Sequence, residues 1–101
     1  MNVNNMNVKI NYIIDQANLF NMGAAWGMSI YGNLLFETAC RVWEQVNEQE
    51  YPHKENRMFR LLTIGRLVEM AEKENEMYKN SSHTKTYNVM KEMIEILKKN
   101  Q

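Results

Sequence analysis

One cysteine, one proline and four glycines in 101 residues leave this chain few means of stapling or punctuating its backbone. Cys40 alone cannot close an intramolecular disulfide, so a reducing compartment, the cytoplasm, is the expected location. Net charge is also missing: 12 basic side chains balance 12 acidic ones, and the pI is 6.7. That balance makes nucleic acid an unlikely partner, because modules that bind it usually carry a basic excess on one face. Long apolar runs are absent too. The stretch 22–36 is interrupted by Gly23, Gly27, Ser29, Gly32 and Asn33, and it falls short of the roughly 20 residues a transmembrane helix needs. The opening MNVNNMNVKINYIID has neither a cationic region nor a continuous apolar one, so no secretory signal and no membrane partner are expected.

What is present is a composition of 45% apolar and 24% charged residues, ordinary for a globular chain. It implies a single all-α domain over 1–101 with one modest core, residues 1–4 being Asn-rich and expected to be disordered. Asparagine occurs 14 times and methionine nine. The first bias is that of an AT-rich genome, as in many bacteria, phages and mobile elements. The second supplies flexible, polarizable side chains suited to an adaptable core or contact surface.

No segment of useful length alternates at the strand period; the apolar residues recur at three and four. Met6, Ile10, Ile13, Ala17 and Phe20 predict a first helix over about 5–20, ended by Asn21-Met22-Gly23. Ala24, Met28, Tyr31, Leu35, Ala39, Val42 and Val46 form the stripe of a long second helix over about 24–49. Glu37, Arg41, Glu44 and Glu48 lie away from that stripe, on its solvent side. In its first half Trp26 and Ile30 also lie off the stripe, so the segment is apolar nearly all round, as in a helix that others surround. Tyr51-Pro52 closes it. Met58, Leu61, Ile64, Val68, Ala71 and Tyr78 predict a third helix over about 54–79, in which Gly65 marks a close crossing. Tyr87, Met90, Met93, Ile94 and Leu97 predict a fourth over about 85–99. The expected fold is all-α, a small four-helix bundle built around the long central helix.

No catalytic set stands out, and no cofactor or metal is expected. Cys40 has no neighbouring base and reads as a small buried hydrophobe. His53 and His83 sit in turns without zinc-ligand spacing. The glycines form no phosphate loop, since no G-K-[ST] follows them. Glu69-Met-Ala-Glu72 and Glu92-Met-Ile-Glu95 place acidic pairs at i,i+3 on the third and fourth helices. In this they resemble the all-α nucleoside-triphosphate pyrophosphohydrolases, with Glu in the last position where that family has Asp. The resemblance implies a Mg²⁺-dependent nucleotide hydrolase using Glu69, Glu72 and Glu95. The helical wheel, however, turns Glu92 nearly opposite Tyr87 and Ile94. Arg57, Arg60 and Arg66 on the third helix are the best feature for a third class, a helix-turn-helix DNA-binding regulator, although the link before them lacks a typical glycine turn.

The leading expectation is a non-enzymatic interaction protein, such as a phage- or mobile-element-encoded inhibitor or regulator. It would act on a protein partner and also on itself as a homodimer. Trp26 and Ile30 form an apolar patch that one small bundle has no element left to cover. Gly23 and Gly27 flank the patch and permit close helix approach. Glu72 and Arg57 share an otherwise apolar arc, where a carboxylate needs a partner: Arg57 across a symmetric contact, or Arg41 or Arg66 after packing. The expected interface is therefore Gly23, Trp26, Gly27, Ile30, Arg57 and Glu72.

Overall fold

The computed structural model describes residues 3–53 and 57–101. The described residues are 73% helix, far above the third usual for globular proteins, and no strand occurs among them. Helix α1 runs Val3–Met22, a short 3₁₀ turn occupies Ala25–Gly27, α2 runs Ile30–Asn47, α3 Ile64–Glu76 and α4 Thr84–Lys99. The expected four-helix bundle is present; α2 packs against each of the other three helices, most extensively against α1, and α4 likewise touches all three, while α2 at 18 residues is shorter than the long central helix expected. No described helix is long and apolar enough to cross a membrane.

The stripes meet as their spacing dictates. Met6, Ile10, Ile13 and Ala17 from α1 face Tyr31, Leu34, Leu35, Ala39 and Val42 from α2, closed by Leu67, Val68 and Ala71 of α3 and Met90, Met93, Ile94 and Leu97 of α4. Helices α1 and α2 form an antiparallel hairpin. At its closed end the Asn21 side chain accepts from the Ser29 amide at 2.8 Å, and at the open end Asn47 donates to Asn7 at 3.1 Å. The close approach is made at Gly32, where an added Cβ would lie 2.7 Å from Asn21 Oδ1 and 3.0 Å from the Ala17 carbonyl. Gly23 and Gly27, the glycines singled out by sequence spacing, meet nothing so near. Gly65 faces only the end of the Gln101 side chain, so it marks no close crossing between helices.

Three boundaries differ from the sequence reading. Helix α1 starts at Val3, so Val3 and Asn4, expected to be irregular, are helical, while positions 1 and 2 lie outside the described residues. Helix α2 starts six residues late. Trp26 (φ 62°) and Gly27 (φ 66°) are left-handed, and Ser29 then caps α2 by accepting from the Gly32 amide at 3.1 Å. Met28, expected on the core stripe, precedes the helix and is exposed. Helix α3 starts ten residues late. The Nη2 atom of Arg41 donates to the carbonyls of Arg60 at 2.9 Å and Leu62 at 2.7 Å, acceptors a continuous helix would use itself. Thr63 caps the shortened helix through the Arg66 amide. The expected helical start at 54–56 lies outside the described residues, and 57–62 is a strap of turns across α2.

Candidate interaction surface

The turn between α1 and α2 is polar-poor and is held by backbone hydrogen bonds of its own. Gly27 N–H bonds the Ala24 carbonyl at 3.1 Å and Met28 N–H that of Ala25 at 3.3 Å. A left-handed backbone is costly for a bulky side chain. Trp26 adopts it and is 95% exposed, so the indole gains no packing within the chain to offset that cost. Met22, Met28 and Ile30, near it in sequence, are also exposed. Gly23, Trp26 and Gly27 lie on this turn, and Ile30 is the first residue of α2.

The strap is anchored by charge. Glu37, expected on the solvent side of the second helix, is 1% exposed. The guanidinium of Arg57 grips its carboxylate through Nε–Oε1 at 3.0 Å and through Nη2–Oε2, while Arg41 Nε donates to Oε2 at 2.6 Å. Glu44 lies 3.4 Å from Arg57 and accepts the Tyr51 amide at 3.0 Å. Hydrogen bonds to Glu37 hold the Arg57 guanidinium well above its ordinary range, against the opposing effect of burial. Cys40 lies nearby in the core, where burial pushes its thiol up to about 12, with Arg57 pulling the other way. The turns of the strap then aim Phe59 and Leu62 inward and leave Met58 and Leu61 exposed.

Between turn and strap lies an open groove of about 940 Å³. Met22, Met28 and Phe36 line one bank, Met58 and Leu61 the other, with the arginines Arg57 and Arg60 and three asparagine amides, but no carboxylate among the described residues. Sequence periodicity missed this groove because it assigned Met28, Met58 and Leu61 to core faces of helices that do not extend so far.

Other candidate groups are committed elsewhere. The expected pairing of Arg57 with Glu72 is corrected by the fold. Arg57 is buried against Glu37, whereas Glu72 pairs with Lys98 at 2.7 Å. Lys98 also approaches Glu95 at 3.6 Å, Arg66 pairs with Glu69 at 2.6 Å and Lys9 with Glu92 at 2.8 Å. Each carboxylate of the metal-pair motif therefore has a cation against it. No cluster of three or more potential metal ligands occurs among the described residues. Arg57, Arg60 and Arg66 do not share a helix, since only Arg66 lies within α3. At the N-terminal end of α2, Tyr31 stacks on Tyr78 at 3.9 Å with Phe20 edge-on at 5.0 Å. The Tyr31 hydroxyl donates to Asn75 Oδ1, which satisfies that buried polar pair. Comparison of the chain with protein-family models, with curated proteins and with solved structures finds no match.

Proposed function

We propose that this chain is a non-enzymatic interaction protein, a small regulator or inhibitor that works by binding another protein and that also self-associates. The observation that carries the reading is Trp26: an indole 95% exposed on a left-handed backbone, with Ile30 exposed four residues further on. Tryptophan is among the commonest binding anchors. Exposed apolar side chains of this size mark interaction surfaces when they form a patch. Packing about a two-fold axis would cover the Trp26/Ile30 face twice with one set of contacts. The single buried cysteine suits the cytoplasm, and the Asn-rich composition suits an AT-rich phage or mobile element.

Sedimentation of the wild type and of Trp26→Glu tests self-association. The expected result is a dimer in the wild type and a 12.0 kDa monomer in the variant. Affinity capture from the native host, with Trp26→Glu as the control bait, tests the foreign partner. A wild type that stays monomeric and retains nothing that the variant loses would overturn the proposal.

A further inference from the structure

We infer that the groove between the turn and the strap docks an acidic amphipathic helix of a partner protein. This deepens the interaction reading and rests on it, but it uses a different surface, since Trp26 and Ile30 do not line the groove.

The chemistry of the walls selects the occupant. Met22, Met28, Met58 and Leu61 are all exposed, Leu61 at 90%, so apolar surface is presented from both banks. Three of the four are methionines, whose flexible chains mould to a partner's side chains. Peptides are captured by a few recurring modes. Strand addition needs a sheet edge, and no strand occurs among the described residues. Polyproline capture needs an aromatic-lined trough, and Phe36 is the only aromatic lining residue. A helix laid in an apolar groove, read through side chains at i, i+3 or i+4 and i+7, is the mode these walls fit.

Charge fixes the helix's sign. The chain as a whole is neutral, yet among the described residues the lining holds two arginines and no acid. Arg57 is engaged by Glu37 and Glu44. The guanidinium of Arg60 is exposed and makes no ion pair with any described residue, although its own carbonyl is held by Arg41. Arg60 thus lines the groove with no described carboxylate in ion-pair contact, Glu44 and Glu50 sharing with it only the second pocket behind the strap. A partner carboxylate beside the apolar anchors would complement Arg60, and a basic helix would be repelled. The strap's tether to Glu37 holds Arg60 and Leu61 in place before binding, which lowers the ordering cost of association.

The test is selection of a displayed library of random peptides of roughly 16 residues, long enough for four helical turns, against the full chain. Enriched peptides are expected to repeat apolar residues at i, i+3 or i+4 and i+7 with Asp or Glu between them. Leu61→Asp should weaken them more than about tenfold, and Met22→Asp serves as a second variant; both sites are exposed, so folding is checked by circular dichroism alone. Arg60→Glu should weaken acidic peptides about fivefold to tenfold, less at high salt, and should select basic sequences in their place. The inference is overturned by any of three results: no enrichment, enrichment without acidic bias, or binding indifferent to Leu61→Asp and Met22→Asp. A dimer of the free chain that Leu61→Asp dissociates would make a second copy the occupant, which also overturns it. A chain that selects no peptide yet forms a Trp26-dependent dimer loses the groove and keeps the interaction reading.

Discussion

Glu37 and Arg57 stand 20 residues apart in sequence and meet as a buried fork, with Nε–Oε1 at 3.0 Å. Neither side chain is more than 6% exposed, and Arg41 supplies a second cation to the same carboxylate. Through this contact a segment with few apolar anchors is held across the central helix, and it carries Arg60 and Leu61 to the groove.

Removing one half of the fork strands the other. Arg57→Ala should cost about 3 kcal/mol, the low end for breaking a buried pair, because Arg41 still donates to the Glu37 carboxylate at 2.6 Å. The double variant Glu37→Gln/Arg57→Met should lose less than the sum of its two single changes. Urea unfolding of Arg57→Ala, the two single changes and the double measures both quantities, and an additive cycle would mean that the pair is not coupled.

Two glycines should respond with opposite signs. Gly32→Ala drives a Cβ to 3.0 Å from the Ala17 carbonyl, a backbone atom with little room to yield, and should cost about 1–3 kcal/mol. Gly65→Ala meets only the Gln101 amide at 3.2 Å, a flexible end, and should gain up to about 1 kcal/mol from helix propensity. Thermal midpoints compare the two directly.

Burial raises the Cys40 thiol to about 12, against about 8.5 when unfolded. Below pH ~8.5 both states keep the proton, and the stabilisation is present in full. As pH rises from there toward 12 the unfolded chain ionises while the folded one does not, so stability falls. Cys40→Ala should show a shallower alkaline decline than the wild type in unfolding experiments at stepped pH. At neutral pH a thiol reagent should label native Cys40 only as fast as the chain opens.

Trp26→Gly should separate stability from association. The left-handed backbone costs tryptophan about 1–2 kcal/mol, and glycine returns about 0.5–1 kcal/mol of that as unfolded-state entropy. With the indole 95% exposed, unfolding stability should hold or rise slightly while sedimentation shows the association lost. A loss above about 1 kcal/mol would mean that Trp26 packs within the chain.

The apolar spacing by itself determined the four helices, their core faces and the burial of residues such as Leu35 and Val42, both fully buried. A period of 3.6 is a local property, and a stripe has one place to go in a bundle. Trp26 and Ile30 as exposed apolar residues were legible in the same way, since they fall off the stripe. Tertiary structure alone decided where the second and third helices begin. Asn21 reaches across to the Ser29 amide, and Arg41 takes the carbonyls of Arg60 and Leu62. Those hydrogen bonds join residues 8 to 21 positions apart, beyond the reach of any helical wheel. They free Met28, Met58 and Leu61 from the core and draw Glu37 into it. The groove exists because side chains distant in sequence outcompeted the local propensity of two segments to remain helical.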